Sequence, residues 1–340
     1  MSKREKLTPE EQEQKIEGSF KNLMEQVDKI HRNNREGSID TRKTYYNAER
    51  QFCKFLASEF RLVNVKNIEA RHLYAYVDYM QEKGLSASYI YTSLSGIRFY
   101  QNRIPGAKKL PRNEKFDLEH RHPGMYNRAW MDSEIDRAIN VAKNMRGDQE
   151  DVIITIKLGS CFGLRANEIV TVKVCHIEYA LETGQLHVPR GKGKHKRDIP
   201  VDMPGQRELL YDLYIYARKR NKNPDDYLLC DGHEHSVLKE KRRLRDWFYN
   251  HKSKFQDPYR ADKVEPGKKP RTTERLGLHS LRHTYTQKHM KFLREQGKLS
   301  ENGVEKEASE SLGHHRTSIT KIYEEWSVYA HGARDYILYF

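Results

Sequence analysis

The sequence predicts a mainly helical protein of two domains with one small antiparallel β-sheet. Three observations predict it. The chain has 340 residues, more than one hydrophobic core ordinarily organises. Along most of it apolar residues recur every three or four positions, the pattern of amphipathic helices. One stretch alone, TVKVCHIEY through GQLHVPR to KRDIPV, has short β-branched runs with partial alternation between turns, which predicts a three-stranded sheet.

Thr8-Pro9-Glu10-Glu11 reads as a helix start: Thr8 caps, Pro9 suits the first helical position and Glu11 completes a capping box. Ile16, Phe20, Leu23, Val27 and Ile30 continue that helix, and HRNNREGS (31–38) breaks it. TRKTYYNAERQFCKFLASEF then puts Tyr45, Ala48, Phe52, Phe55 and Phe60 on one face. ARHLYAYVDYMQEKG gathers Leu73, Tyr76, Val77 and Met80 before Gly84 ends it, and SASYIYTSLSGIRFYQN adds Ile90, Leu94 and Ile97. Residues 104–125, rich in Pro, Gly and charge, hold the domain boundary. Beyond it Asp132 or Ser133 caps a helix that turns Ile135, Ala138, Ile139 and Ala142 inward, and a second helix covers 150–162. After the sheet, RELLYDLYIYARKR and VLKEKRRLRDWFYNHK are helical and 257–277 is a polar loop. HSLRHTYTQKHMKFL, EKEASESLG and TSITKIYEEW form the last helices.

The charge balance, 62 Lys plus Arg against 48 Asp plus Glu, gives a net +14. Such a chain attracts polyanions through a long-range, salt-sensitive field, and nucleic acid is the leading partner. Arg42, Lys43, Arg50, Lys54 and Arg98 lie on the polar faces of the early helices, as a solvated face or as a DNA face. The longest apolar run, VIITIKLGSCFGL, is broken by Lys157 and too short to span a bilayer, so no membrane partner is expected. The start, MSKREKLTPEEQEQK, has no apolar stretch and does not read as a signal peptide. Cys53, Cys161, Cys175 and Cys230 show neither CxxC nor zinc spacing and read as buried reduced thiols of an intracellular protein. The sixteen histidines contain no HExxH, so neither a metal site nor a cofactor is expected.

Four stretches carry potential chemistry: GLRANEI (163–169), GKGKHKR (191–197), HSLRH (279–283) and LGHHRTSITKIY (312–323). Each alone has a plain reading: a helical ion pair, a solvated turn, a helix start, and packing for the tyrosine. Together they suit the breaking of a phosphodiester by a tyrosine. The transition state spreads negative charge over non-bridging oxygens, which the forked donors of Arg165 and Arg282 can hold. His279 and His314 can add hydrogen bonds or manage a proton. Tyr323 is the candidate nucleophile; a free tyrosine has a pKa of about 10 and needs electrostatic or base assistance. Lys192, between Gly191 and Gly193, can protonate the leaving 5′ oxygen, with Lys194 and Lys196 as competitors for that role. Fixed cations supply the electrostatics, so no metal is required.

These stretches, in this order, resemble the tyrosine recombinases, the phage-integrase family. Arg165 matches the first arginine of the family's G-L-R-x-x-E motif, and Glu168 the acidic residue that supports it. Lys192 matches the hairpin lysine, His279 and Arg282 the H-x-L-R pair, His283 the second histidine, His314 the L-G-H histidine and Tyr323 the nucleophile. The resemblance implies an N-terminal helical extension (1–37), a helical, SAM-like core-binding domain (38–112), a linker (113–125) and a mixed α/β catalytic domain (126–340) with a C-terminal tail (327–340). It implies a C-shaped clamp on double-stranded DNA, with Arg42, Lys43, Arg50, Arg98, Lys194, Lys196, Arg242 and Arg243 as candidate DNA contacts. It further implies site-specific recombination through a 3′-phosphotyrosyl intermediate and a Holliday junction, in a homo-tetramer, without ATP or cofactor. A cytoplasmic mobile-element or phage setting follows, with room for accessory DNA-bending proteins. His315 and His176 depart from the residues usual at their positions. The basic segment between Val201 and Leu278, with KRRLR and GKKPR, reads equally as added DNA contacts or as solvated loop. A type IB topoisomerase-like enzyme and a non-catalytic DNA-binding relative are the alternatives. The chain end, with Tyr336, Ile337, Leu338 and Phe340, packs on its own domain or docks on a neighbouring subunit. Deleting residues 334–340 leaves DNA binding intact and weakens synapsis if the docking is in trans; unchanged assembly in a gel-filtration or crosslinking assay excludes it.

Overall fold

The Thr8 hydroxyl accepts the Glu11 amide while the Glu11 carboxylate accepts the Thr8 amide. This reciprocal cap starts α1 (Pro9–Asn33) where the sequence places it. Ser38 caps α2 (Ile39–Phe60) and Ser86 caps α4 (Ala87–Gln101), each through its hydroxyl. Between them, α3 (Ala70–Glu82) begins where the Glu69 amide donates to Nδ1 of His72. The computed structural model describes residues 8–119, 128–189, 196–230, 234–257 and 276–313. The chain divides into two compact units, Met1–His122 and Pro123–Phe340. No helix among the described residues is long and apolar enough to cross a membrane.

In the first unit the apolar faces meet in one core. Leu23 and Val27 come from α1, Phe52 and Leu56 from α2, Leu73 and Met80 from α3, and Leu94, Ile97 and Tyr100 from α4. Phe52 and Phe55 each place their rings 5.0 Å from the ring of Tyr76, adding tilted aromatic contacts to the burial. The expected faces are therefore the buried ones.

The second unit is built around two helices. The first, α6 (Glu150–Phe162), is mostly apolar and serves two cores. Ile154, Leu158 and Phe162 face one, and Val152 and Ile156 face the other. Its neighbour α11 (Leu278–Gln296) packs along it. The flanking helices are α5 (Asp132–Lys143), α7 (Ala166–Val170), α8 (Val174–Thr183), α9 (Gln206–Lys219), α10 (Glu234–Phe255) and α12 (Glu301–Leu312). Asp132 and Ser133 lie inside α5 rather than capping it; the Glu134 carboxylate accepts the Met131 amide instead, 2.8 Å away.

The sheet has two strands among the described residues, not the expected three. β1 (Gln185–Val188) pairs antiparallel with β2 (Arg197–Pro200), with Leu186 opposite Ile199 and Val188 opposite Arg197. The run expected as the first strand is mostly α8. Its Val174, Ile177 and Ala180 are buried at helical, not alternating, spacing. The His176 ring accepts the Lys173 amide at the start of α8, and Gly184 ends the helix. Tertiary burial outweighs the β propensity of its valines and isoleucine. Among the described residues a single bridge, Lys173 with Tyr227, remains of the third strand.

One buried group sets a pH dependence for the first unit. Glu49 of α2 is 1% exposed. Among the described residues its Oε1 meets the Cys53 thiol at 4.0 Å, and its Oε2 has no hydrogen-bond partner. Burial pushes this carboxyl up from its ordinary 4.5 to about 8. Below pH 4.5 the folded and unfolded chains both hold the proton; between 4.5 and about 8 only the folded chain does. Stability therefore falls with rising pH across that window, by about 1.4 kcal/mol per pH unit, and levels off above it. His72, held below its usual range by burial, acts in the opposite sense as pH rises through the histidine range. Trp130, Trp247 and Trp326 all lie outside the first unit. Amide hydrogen exchange in α2 and α4 peptides of the full chain is therefore the measurement. Protection, corrected for intrinsic rates, falls from pH 5.5 to pH 8 in the wild type and not in Glu49→Gln, which keeps the His72 contribution. Parallel profiles in the two proteins contradict the assignment.

Candidate active site

α6 ends at Gly163, which adopts φ +60°, and the chain turns sharply into α7. Glycine is required there twice over. The backbone is left-handed, and a Cβ would stand 2.4 Å from Cδ1 of Tyr285 on α11. The turn places Arg165 at the N-cap of α7. The Glu168 carboxylate reaches back one turn, accepting the Arg165 amide on Oε2 and the Arg165 Nη1 on Oε1, both at 2.8 Å. The G-L-R-x-x-E spacing is thus the length of one helical turn closed by its own side chain.

Glu168 has a second partner that sequence reasoning did not single out. Arg197, the first residue of β2, donates Nη1 to Oε1 and Nη2 to Oε2, both at 2.8 Å, and Nε to the Ser311 carbonyl at 2.9 Å. Strand alternation was the available signal, since Arg197 shares the buried face of β2 with Ile199. Burial opposes ionisation of Glu168, but the hydrogen bonds and charge of Arg197, then those of Arg165, outweigh it and hold its pKa down at about 2.

Arg282, on the first turns of α11, is fully buried. Its Nη1 donates to the Gly163 carbonyl at 2.6 Å, and its Nη2 donates to the Leu312 carbonyl. Arg165 Nη2 reaches the same Leu312 carbonyl at 3.4 Å. Two guanidiniums from distant parts of the chain therefore converge on the carbonyl just before Gly313. That glycine ends α12 at φ +64°, where a Cβ would come 3.0 Å from Cδ of Arg197. Beneath the turn, the buried ring of His289 lies 3.4 Å from both the Ser311 and Tyr285 hydroxyls, and burial lowers its pKa. His279 is exposed one turn before His283, with ring centroids 5.5 Å apart.

The structure thus brings together Arg165, Glu168 and Arg282, with His279 and His283 on the same helix as Arg282. Lys192, Lys194, His314, His315, Tyr323 and the tail 327–340 lie outside the described residues. Of the candidate DNA contacts, Lys43, Arg50, Lys196 and Arg242 are exposed. Arg42 donates to the Asn34 carbonyl, and Arg98 is half-buried and donates to the Pro111 carbonyl at 2.7 Å. Arg243 is paired with Asp151 and, at 2.8 Å, with Glu240.

No family model and no curated protein matches the chain by sequence. Solved structures do match by shape. A lambda integrase tetramer bound to a Holliday junction superposes with a TM-score of 0.59 at 13% identity, over 89% of this chain and 76% of that one. The XerH site-specific recombinase bound to a palindromic difH substrate gives 0.52 at 18%, over 87% and 79%. The Tn1549 transposon integrase in complex with transposon right end DNA gives 0.51 at 13%, over 88% and 94%. The chain has the tyrosine recombinase fold. Within that fold, the arginine cluster of this chain sits where α6, α7, β2, α11 and α12 meet, so its geometry depends on their packing.

That dependence is testable at Gly163. Gly163→Ala combines left-handed strain with a clash against Tyr285, and is expected to destabilise the second unit by about 3 kcal/mol. The urea midpoint read from Trp130 and Trp247 fluorescence should fall accordingly. An unchanged midpoint contradicts the close approach of α6 and α11.

Proposed function

We propose that this protein is a site-specific DNA recombinase that cleaves and rejoins strands through a covalent link to Tyr323. The observation that carries the reading is the convergence of Arg165 and Arg282 on the Leu312 carbonyl, immediately before the Gly313-His314 pair. Two fixed guanidiniums at one point, in a chain of net charge +14, suit a phosphodiester better than any uncharged group. The fold shared with integrases and a recombinase solved on DNA supports the same direction.

In this reading the partly exposed Arg165 guanidinium holds a non-bridging oxygen of the scissile phosphate, the buried Arg282 adds its positive charge from behind the Leu312 carbonyl, and His279 and His314 are further donors. The Tyr323 oxygen attacks phosphorus as its proton passes to one of these histidines, the bond to the 5′ oxygen breaks, and that oxygen takes a proton from Lys192. Lys194 and Lys196 remain competitors for this last role. The phosphotyrosyl bond conserves the energy of the phosphodiester, so a partner strand's 5′ hydroxyl reverses the step without ATP. Two rounds, through a Holliday junction in a tetramer clamped on two duplexes, exchange the strands. His283, next to the buried Arg282, supports its helix.

Covalent capture tests this directly. Wild type and Tyr323→Phe are expressed in cells, the lysate is denatured, and DNA still attached to the protein is sequenced. A discrete sequence attached to the wild type alone is the expected result. Arg165→Gln and Arg282→Gln each lower adduct formation on a synthetic duplex of that sequence by about 100-fold or more. Attachment without sequence preference favours a topoisomerase-like enzyme. Absence of any adduct, with both proteins still binding DNA, overturns the catalytic reading.

A further inference from the structure

Arg197 braces the arginine cluster from outside the G-L-R and H-x-L-R motifs. Its side chain is 6% exposed. Both of its terminal nitrogens are engaged by the Glu168 oxygens and its Nε by the Ser311 carbonyl, so it has no donor face turned to a ligand. It nonetheless joins three segments: the first turn of α7 through Glu168, the end of α12 through Ser311, and β2 on which it stands. The turn at Gly313 rests against its Cδ.

The charge arithmetic gives this brace a chemical consequence. Arg165 and Arg197 together carry two positive charges against the single negative charge of Glu168. With Arg197 present, the carboxylate is shared and Arg165, whose side chain is 22% exposed, retains an attractive field for an anion. Without Arg197, Arg165 and Glu168 form a neutral buried pair, and the carboxylate draws Arg165 wholly to itself.

We propose that Arg197 is a positioning residue that keeps Arg165 available to phosphate by taking half of the Glu168 carboxylate, and that it thereby couples the seating of the β1–β2 hairpin to the competence of the arginine cluster. The inference rests on the strand-cleavage reading for its catalytic consequence, and on the hydrogen-bond geometry alone for its electrostatic one. Lysine is no substitute, because one nitrogen cannot satisfy three acceptors held in a guanidinium's plane.

Two readouts on the full chain separate the parts. The first needs no DNA. The Glu168 carboxyl carbon, 13C-labelled and assigned by its loss in Glu168→Gln, is titrated by NMR in wild type, Arg197→Gln and Arg197→Lys. Glu168 stays ionised in the wild type to the lowest pH at which the fold survives, and titrates at clearly higher pH in Arg197→Gln. Identical titrations overturn the proposal. The second readout is adduct formation on the duplex recovered by covalent capture. Arg197→Gln keeps DNA affinity but slows adduct formation by about 100-fold. The double variant Glu168→Gln/Arg197→Gln, which restores the positive charge at Arg165, recovers about ten-fold of the loss. A double variant no faster than Arg197→Gln contradicts a role exerted through Glu168. If Arg197→Gln does not fold, Arg197→Lys, which keeps the buried charge with one donor nitrogen, carries both readouts. Displaced titration and slowed cleavage then support the proposal, and wild-type behaviour in both overturns it. If the wild type forms no adduct, the strand-cleavage reading fails while the titration still decides the electrostatic role of Arg197.

Discussion

A single carboxylate, Glu168, ties the start of α7 to β2. It is buried, and burying an ionised group costs several kcal/mol unless it is fully paired. Here both oxygens accept from Arg197 in a forked arrangement, while the Arg165 amide and guanidinium take the remaining directions. Removing Arg197 takes away two of the four hydrogen bonds to this buried carboxylate and leaves Arg165 as its remaining charged partner among the described residues. The consequence reaches local structure as well. α7 has five residues and could not persist as an isolated helix; its start is defined by the side chain that closes its first turn.

Around that point the packing is arranged by small residues. Gly163 lets Tyr285 approach the end of α6, and its carbonyl receives Arg282. Gly313 lets the end of α12 lie on Arg197. The three arginines and one carboxylate carry a formal excess of two positive charges, and the backbone carbonyls of Gly163, Ser311 and Leu312 accept from the guanidiniums. Carbonyls orient guanidiniums without neutralising them, which is the electrostatic requirement for a site that receives an anion.

The helices were legible because periodicity reports burial, and burial is what forms them. Leu73, Tyr76, Val77 and Met80 appear as one face in the sequence and are one face in the structure. The capping box at Thr8 was legible for the same reason: its partners are three residues apart. What failed was long-range. The valines before β1 carry strand propensity, and only the packing of Val174, Ile177 and Ala180 against the core makes that run a helix. Arg197 looked like one more charge in a basic turn, because its carboxylate partner lies in another motif. Arg98 and Arg243 looked like free surface charges, yet one is held by the Pro111 carbonyl and the other by Asp151. The motif residues Arg165, Glu168 and Arg282 were found by their spacing, and their meeting place follows from the packing of α6 against α11.

The most direct test is which atom of the protein becomes bonded to DNA. After capture, the adduct is digested with nuclease and trypsin, and the nucleotide-bearing peptide is fragmented in a mass spectrometer. The cleavage sites Lys321 and Arg334 bound a peptide of residues 322–334, which holds two tyrosines, Tyr323 and Tyr329. A residual nucleotide on Tyr323 alone is the expected result for a Tyr323 nucleophile. A nucleotide on Tyr329, on any other tyrosine of the chain, or on none, contradicts it.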